Sequence, residues 1–533
     1  MPYAPPANLP RRGVVDLGSN SVRLVVYEGN NRNPVPIFNE KAVLRLGRGL
    51  QATGRLNDEG IGPALMVMQR YYLIGKAMGA SPFEVLATAA VRDATNGPDF
   101  VASLQTRMPG VPIRILSGPE EAEYSADGML CGIPDADGIL ADIGGGSLEV
   151  VRLTQGTRGA SQTLRLGVIR LADRSRGDLN LAREIVEADI ATVPWLTEGS
   201  ERDLYLVGGA WRALARIQMA RSNYPLQMVH HYGMDAPGTR DLTNMIAAAS
   251  RRTLERMPGA PKRRLDDLPY AAIALRRLLR VTGAKRVVFS ASGLREGWFM
   301  RHMPDDIRSQ DPLLAACQEM AQRLGRDPAL PEALFCWTGP LFPVETPDHR
   351  RLRLAACWVS DIGSHDHPEF RAEQAFLRVL RQPGVGLDHE TRAFLGLAVA
   401  LRYEAYADAP FLRSARALLD IDSVSRAEKL GTALRLAYTL SAGTPDLLSG
   451  TSLRIQGSRL ILGLQENLGV FAGESVTRRL ERLAETAGLQ AERNVSTTLI
   501  HRVRQFKLAH STSTERARSS GGPRSSVKRA FSA

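Results

Sequence analysis

A six-residue motif occurs twice in the 533-residue chain, each time between two stretches of β-branched and apolar residues. The first copy runs from Asp16 to Ser21 (DLGSNS), and the second runs from Asp142 to Ser147 (DIGGGS). The copies begin 126 residues apart, which is about the length of one domain. Such a pattern predicts strand, tight turn and strand in each copy. The repeat therefore predicts two related α/β domains that face each other across a cleft.

Strands and helices alternate through the first 300 residues, which is typical of an α/β fold. Beyond residue 304 the pattern is mostly helical and rich in Ala, Leu and Arg. The last 23 residues are a Ser/Arg/Gly-rich stretch of low complexity. We therefore predict a leader (1–11), a first α/β domain (12–130), a second (131–303), a helical region (304–510) with a small hairpin near 452–464, and a disordered basic tail (511–533).

The formal net charge of +12, from 68 basic and 56 acidic residues, suggests a polyanionic partner. An Arg-rich genome composition would explain the same balance, so charge alone specifies no ligand. The start of the chain has no signal-peptide pattern, and no apolar run approaches the ~20 residues that span a bilayer. The four cysteines, Cys131, Cys317, Cys336 and Cys357, show no C-x-x-C spacing, which fits a reducing cytosol. We therefore expect a cytoplasmic protein without membrane contact.

Glycines at the ends of strands let backbone N–H groups approach a ligand, and consecutive amides form a concave site for anions. Three glycine-rich turns follow predicted strands here, and serine and asparagine side chains add further donors. Neither a P-loop nor a G-x-G-x-x-G pattern is present at these turns, which disfavours P-loop and Rossmann folds. The predicted phosphate-binding residues of the turns are Gly18, Ser19, Asn20, Ser21, Gly144, Gly145, Gly146, Ser147, Gly208 and Gly209.

Asp16, Asp142 and Glu149 are the acids attached to the repeated turns. Acids beside a phosphate site repel the substrate unless a cation intervenes, and Mg²⁺ is held by one or two carboxylates together with phosphate oxygens and water. We therefore predict that these three acids bind Mg²⁺ or another divalent cation. In the alternative interpretation Asp142 only caps its own turn, and Glu149 faces solvent as alternate strand residues often do.

The segment Leu116 to Glu123 (LSGPEEAE) contains the S-x-x-E spacing of a capping box, from Ser117 to Glu120. Glu120 then has a structural role, and Glu121 is left free to act as a general base toward water. The alternative is an acidic first turn favoured by the helix dipole. Arg92 follows a predicted strand, where it could neutralise a phosphoryl group or form a surface pair with Asp93.

Together these segments resemble the exopolyphosphatase / guanosine pentaphosphate phosphohydrolase family, within the sugar kinase–Hsp70–actin superfamily. The resemblance covers about residues 12 to 300 and rests on VVDLGSNSVRL, ATAAVRDATN, LSGPEEAEY, ADIGGGSLEVV, LRLGVIRL, YLVGGAWRALA and SASGLREG. It implies two actin-like (ribonuclease H-like) domains around a catalytic cleft, and a homodimer. It also implies that Glu121 is the catalytic base, that Asp142 and Glu149 belong to the metal and water site, and that Arg92 faces phosphate. The stretch KRRLDDLP, which contains Arg264, resembles a further family segment.

The helical region resembles the HD-like C-terminal domain of longer family members. A metal-dependent HD hydrolase needs His directly before Asp361, but Ser360 occupies that position. Three histidines lie nearby in the sequence, so a metal site stays open: His349, His365 and His367. The missing histidine favours a structural or substrate-channel role for this region.

The activity that follows is Mg²⁺-assisted release of terminal orthophosphate from inorganic polyphosphate. The first alternative is removal of the 5′-phosphate from guanosine pentaphosphate (pppGpp). A kinase or ATPase of the same superfamily, and a non-catalytic protein that binds polyphosphate or an alarmone, remain as other classes. Only 6% of the residues are aromatic, which disfavours a stacking channel for single-stranded nucleic acid.

Overall fold

The two copies of the repeated motif join the first two strands of two separate β-sheets. The computed structural model describes residues 9–471 and 473–496. The first sheet has the order β3-β2-β1-β4-β5, with the bounds β1 Arg11–Leu17, β2 Ser21–Glu28, β3 Val35–Val43, β4 Ala80–Ala87 and β5 Ile113–Ile115. The second has the order β10-β11-β9-β6-β7-β8, with the bounds β6 Gly138–Ile143, β7 Leu148–Thr154, β8 Thr157–Leu164, β9 Asp203–Val207, β10 Tyr232–Asp235 and β11 Arg286–Phe289.

The sheets repeat each other in pairing as well as in order. Strand β1 pairs antiparallel with β2 and parallel with β4, and β6 pairs antiparallel with β7 and parallel with β9. The register places Asp16 opposite Arg23 in the first sheet and Asp142 opposite Glu149 in the second. The sequence repeat is therefore a repeat of topology, as the two motifs predict.

Helices connect the strands and cover the sheets of both domains. Helix spacing explains their burial: the longest helix of the second domain hides Leu268, Ala271, Leu275, Leu278 and Thr282, three or four residues apart, on one face. The helices of the first domain are α1 Leu50–Thr53, α2 Asp58–Ala77, α3 Ala89–Asp93, α4 Gly97–Arg107 and α5 Gly118–Gly132. Those of the second are α6 Val168–Arg174, α7 Leu179–Ala191, α8 Gly209–Arg221, α9 Ala236–Ala248, α10 Arg251–Arg256, α11 Leu268–Thr282 and α12 Leu294–Arg301.

The remaining described residues form a helical region with its own apolar core. Its helices are α13 Asp305–Arg308, α14 Pro312–Leu324, α15 Leu330–Thr338, α16 Pro347–Val359, α17 Arg371–Leu380, α18 His389–Arg402, α19 Arg413–Arg416, α20 Ile421–Ser441, α21 Pro445–Ser449 and α22 Glu474–Thr486. A small sheet contains the strands β12 Thr451–Gln456, β13 Arg459–Gln465 and β14 Gln490–Ser496. Strand β14, which pairs parallel to β13, had no prediction from the sequence.

Residues 381–388 of the helical region, the bridging loop, contact both α/β domains. The Val385 N–H donates to Asn33 Oδ1 of the first domain at 3.2 Å. The Val385 carbonyl accepts hydrogen bonds from the Nε2 atoms of His230 (2.7 Å) and His231 (3.1 Å) of the second domain. The buried guanidinium of Arg392 holds the loop by donating to several backbone carbonyls, those of Leu380, Gln382, Gly384 and Leu387. The helical region is therefore tied to both domains at one residue, Val385.

A buried histidine strengthens this junction in its neutral form. His389 Nε2 lies 2.9 Å from the His230 carbonyl, and a carbonyl can only accept, so Nε2 carries the hydrogen. Nδ1 is then free to accept from the Tyr224 hydroxyl at 2.9 Å. Burial lowers the pKa of His389 to about 4, and it lowers the pKa values of His230 and His231 as well.

The free energy of unfolding is expected to decrease as the pH is lowered below 6.5, because His389 takes up a proton there in the unfolded chain but not in the folded one. His389 contributes stability that is fully present above 6.5 and is lost as pH falls toward about 4. At about pH 5 the loss is on the order of 2 kcal/mol. The urea midpoint measured against pH tests this: His389→Gln should flatten the slope, while the exposed His365→Gln should leave it unchanged. An equal slope in both variants would contradict the assignment.

The sequence-based domain boundaries stay predictions. Part of the predicted leader and the whole of the predicted basic tail lie outside the described residues. Within the part of the chain that the structure describes, no helix has both the length and the apolarity needed to cross a bilayer.

Candidate active site

The two repeated turns meet at the floor of a cleft between the α/β domains. The same hydrogen bond, from the first glycine N–H to the serine carbonyl, closes both: Gly18 to Ser21 at 3.1 Å and Gly144 to Ser147 at 2.9 Å. A Cβ atom on Gly146 would lie 2.7 Å from Ser19 Oγ. Glycine lets the two turns approach each other closely there, because a side chain would have to displace the Ser19 hydroxyl.

A third glycine turn joins β9 to α8 at the same cleft. Gly208 has φ of 115°, which L side chains rarely adopt, and a Cβ there would lie 2.3 Å from the Ile143 carbonyl oxygen. The predicted residues that line the cleft are Asp16, Gly18, Ser19, Asn20, Ser21, Glu121, Asp142, Gly144, Gly145, Gly146, Ser147, Gly208 and Gly209. Arg92 and Glu149 are not among its lining residues.

Helix α5 begins with the predicted capping box, and this start positions Glu121. The Glu120 N–H donates to Ser117 Oγ at 3.3 Å, and the Ser117 N–H donates to Glu120 Oε2 at 2.8 Å. Glu120 is thereby held at the exposed helix end, whereas Glu121 is only 9% exposed and faces the cleft. The predicted capping role of Glu120 is thereby confirmed.

Glu121 is poised to titrate near neutral pH. Arg92 donates to its Oε2 at 3.2 Å and also to the Leu116 carbonyl at 2.8 Å. Burial raises the pKa of Glu121 to about 7, although Arg92 opposes the rise. Arg92 Nε also lies 3.3 Å from Asp93 Oδ1, so the pair with Asp93 is present, whereas the contact of Arg92 with phosphate stays a prediction.

Asp142 and Asp16, on equivalent strands, have different partners. The hydroxyl of Ser125, one turn beyond Glu121 on α5, donates to Asp142 Oδ2 at 2.5 Å. Burial raises the pKa of Asp142, and this hydrogen bond opposes the rise. Asp16 Oδ2 instead accepts from the Arg295 guanidinium at 2.9 Å, which neutralises its charge.

Glu149 is 1% exposed, which excludes the interpretation that it faces solvent. Among the described residues, its Oε1 has no hydrogen-bond partner. Burial, and after it the charges of Glu121 and Asp142, raises the pKa of Glu149 well above its ordinary value. A buried carboxylate oxygen without a partner needs an explanation, and a cation supplies one.

These acids fit a hard divalent cation. Within the described residues, no group of three or more His, Cys, Asp and Glu side chains is arranged to hold a metal ion by itself. Mg²⁺ does not require such a group, since it uses one or two carboxylates with substrate phosphates and water. The partnerless Glu149 oxygen beside the buried Asp142 supplies oxygen ligands, and a cation would favour their charged forms.

Sequence reasoning missed most of the cationic wall of the cleft, which comprises Arg23, Lys41, Arg212, Arg264 and Arg295. Among the described residues, Arg23, Lys41 and Arg212 form no ion pair with a carboxylate. Burial and the nearby Arg264, Arg23 and Arg212 lower the pKa of Lys41 to about 8. Burial and Arg295 lower the pKa of Arg212 to about 10. Cations that destabilise one another in this way form a site for a multiply charged anion.

One signal in the sequence could have found Arg23. It occupies in the first repeat the position that Glu149 occupies in the second, and the two lie 126 residues apart. The register confirms the equivalence, since each residue lies opposite the aspartate of its own repeat. Arg212 and Arg295 lie within motifs already noted, but their types alone did not separate them from surface arginines.

The helical region contains ion pairs at the position where an HD hydrolase needs its metal. The buried Ser360 donates to the Cys357 carbonyl at 2.7 Å and lies 3.0 Å from the Tyr438 hydroxyl. Asp361 accepts two hydrogen bonds of 2.9 Å from the Arg326 guanidinium. Arg326 thus neutralises Asp361, and the structural or substrate-channel role of this region stays a prediction. The HD-like assignment itself stays a prediction.

Two related α/β domains that bring glycine turns and acids together around an anion site are typical of actin-like phosphohydrolases. The chain belongs to the Ppx/GppA phosphatase family, whose model matches residues 25–306. A second model, described as the exopolyphosphatase C-terminal family, matches residues 313–493. The family inferred by resemblance and the actin-like fold with a helical C-terminal region are thereby confirmed, and the chain is a phosphohydrolase.

Named relatives agree with this assignment. Exopolyphosphatase 1 of Mycobacterium tuberculosis is 26% identical over 308 residues, covering 56% of this chain and 89% of that protein. Retrograde regulation protein 2 of Saccharomyces cerevisiae is 25% identical over 437 residues, covering 73% of this chain and 72% of that protein. The crystal structure of an exopolyphosphatase from Cytophaga hutchinsonii is 22% identical with a TM-score of 0.50, covering 54% of this chain and 96% of that one. This last likeness bears on the fold alone.

Proposed function

We propose that the protein is an exopolyphosphatase, which releases terminal orthophosphate from inorganic polyphosphate by hydrolysis. The observation that carries the proposal is the cationic wall that lines the same cleft as Glu121. Among the described residues that line the cleft, none is aromatic. A linear polyanion without bases needs cations and backbone amides along its path but no stacking surface. Exopolyphosphatases among the relatives support the same substrate class.

The proposed chemistry assigns a separate task to each part of the cleft. The glycine turns and the cationic wall bind the terminal phosphates and offset their charge. Glu121 accepts a proton from the attacking water, whose oxygen bonds to the terminal phosphorus while the bridging P–O bond breaks. Orthophosphate and a chain shorter by one phosphate leave. A carboxyl with a pKa of about 7 is suited to this task near neutral pH.

A divalent cation belongs to this proposal as a cofactor. Asp142 and Glu149 would hold Mg²⁺, and Asp16 is less available because Arg295 already pairs with it. The ion would neutralise phosphate charge, which acids alone would repel. A homodimer and a cytoplasmic location, expected from the family resemblance and from cysteine usage, also belong to the proposal.

The second candidate, pppGpp hydrolysis, is favoured by a groove beside the cleft. The groove shares Asn20 and Val168 with the cleft and has an apolar surface that includes Leu254 and Leu265. Four arginines and three aspartates also line the groove, namely Arg45, Arg48, Arg251, Arg263, Asp173, Asp266 and Asp267. A partly apolar groove that adjoins the cleft could hold a nucleoside while its phosphates enter the cleft.

Phosphate release measured side by side from polyphosphate and from pppGpp, each with Mg²⁺, tests the proposal. We expect kcat/KM to be at least about tenfold higher for polyphosphate than for pppGpp, because the cleft recognises phosphate repeats and no base. Removal of the divalent cation with EDTA should stop release from both. A preference for pppGpp would select the second candidate. Phosphate transfer from ATP to an acceptor would indicate a kinase, and tight binding without turnover would indicate a binding protein.

A further inference from the structure

Four helices of the helical region bring arginines together at a place remote in sequence from the catalytic motifs. Helix α18 packs against α17 and α20, and α20 packs against α22. One arginine from each of these four helices belongs to the group that we call the arginine cluster: Arg371, Arg402, Arg435 and Arg479. Burial lowers the pKa of Arg435 to about 10. The charges of the other three members act in the same direction, while Glu404 opposes the change.

The arginine cluster has unused hydrogen-bond donors. Within the described residues, the Nε–H groups of all four members are buried without an acceptor. Arg402 is only 4% exposed, and its guanidinium stacks on two rings, with centroids 3.9 Å away at Tyr403 and 3.6 Å away at Tyr438. Stacking uses the faces of a guanidinium and leaves its N–H groups directed outward in the plane. The Nε edge of Arg402 is therefore left without an acceptor among the described residues, although it is buried.

The acids near the arginine cluster do not balance its charge. Glu404 lies between Arg435 and Arg479 and pairs with both. Asp361 lies 3.5 Å from Arg402, but Arg326 already holds it through two hydrogen bonds. Four arginines thus share two carboxylates, and Arg371 forms no ion pair among the described residues, which leaves an excess of three positive charges over the five arginines. Partly buried arginine side chains can lie close together when an anion binds between them and offsets their charge.

We propose that the arginine cluster is a second phosphate site, separate from the catalytic cleft, which binds a phosphoryl oxyanion through the unused edges of its guanidinium groups. Arginine suits phosphate because its fork presents paired N–H donors that match two oxygens. The ligand is either free orthophosphate or one phosphate unit of a polyphosphate chain, since both present the same tetrahedral oxyanion. The proposal concerns binding alone and stands whether or not the cleft hydrolyses polyphosphate.

Protection from phenylglyoxal, which modifies arginine side chains, tests the site residue by residue in the full chain. Peptide mass mapping should show that orthophosphate slows modification of Arg435 and Arg479, whose side chains are 25% and 28% exposed. Arg416 is the matched control, because it is 30% exposed in the same region and pairs with Glu428 alone. A Glu121→Gln background keeps polyphosphate intact for the second arm.

Each result decides the proposal. Protection by orthophosphate of the cluster arginines, but not of Arg416, supports a site for the free ion. Protection by polyphosphate only, at concentrations where orthophosphate has no effect, supports a site for the chain. If neither ligand protects Arg435 and Arg479 more than Arg416, the proposal is wrong.

A variant of the arginine cluster supplies a second measurement. Arg479→Gln should raise the ligand concentration that half-protects Arg435 by roughly tenfold, because one charge-assisted contact is lost. Arg459→Gln removes the same charge from an arginine that is 61% exposed on β13, and it should change nothing. Equal behaviour of the two variants would overturn the assignment of the ligand to the cluster.

Discussion

Glu121→Gln is expected to lower phosphate release from polyphosphate by at least about a hundredfold, and by up to about ten-thousandfold. Glutamine preserves the size and burial of the side chain, but it cannot accept the proton of the attacking water. It can still accept a hydrogen bond from Arg92, whose guanidinium lies 3.2 Å from Glu121 Oε2, so the local structure should survive. Steady-state release of orthophosphate, with circular dichroism as the check on folding, measures the effect.

The adjacent glutamate supplies the matched control. Glu120→Gln removes a charge one residue away, and glutamine serves in a capping box as glutamate does. Its turnover should therefore stay near that of the unsubstituted protein. A loss in Glu120→Gln that exceeds the loss in Glu121→Gln would reverse the assignment of base and cap. Turnover that survives in Glu121→Gln would show that another group accepts the proton.

Gly128→Ala is expected to lower the unfolding free energy by more than about 3 kcal/mol and to reduce turnover as well. A Cβ on Gly128 would lie 1.8 Å from the Gly293 carbonyl oxygen and 2.8 Å from the Gly297 nitrogen. Both contacts are with backbone, so no rotamer change can relieve them. Helices α5 and α12 would have to separate, and α5 carries Glu121 and Ser125.

A glycine in open surroundings controls for the substitution itself. Gly233 lies in the exposed part of β10, where a Cβ would meet nothing closer than the Val287 carbonyl oxygen at 3.9 Å. Gly233→Ala should leave both stability and turnover unchanged, or raise stability by about 0.5 kcal/mol. Chemical denaturation and phosphate release, measured on both variants, give the comparison. If Gly128→Ala were equally harmless, the close packing of α5 on α12 would not be essential.

The features that sequence could predict are those that local spacing determines. The repeated turns need glycine for close backbone approach, so they were visible at a 126-residue offset. The capping box from Ser117 to Glu120 follows from a three-residue spacing, and its hydrogen bonds are as expected. Both features depend on residues only a few positions apart, which is why the turns and the start of α5 were found.

Features that depend on burial or on long-range pairing could not be predicted. Strand periodicity alone left open whether Glu149 faces solvent, and only the packing of the second sheet shows that it is buried. The cationic wall draws Arg23, Lys41 and Arg212 from three different elements, and no sequence spacing links them. The arginine cluster depends on the packing of four helices, so an Arg-rich composition concealed it.

The bridging loop adds a mechanical consequence to the architecture. The backbone N–H of Val385 donates to Asn33, 352 residues earlier in the chain, and the Val385 carbonyl accepts from His230 and His231. If the two α/β domains rotated apart, Val385 could not keep its hydrogen bonds to both of them. Every such swing must break hydrogen bonds or carry the helical region along with one domain. The helical region therefore braces the two α/β domains against each other, so the width of the cleft depends on hydrogen bonds that lie outside it.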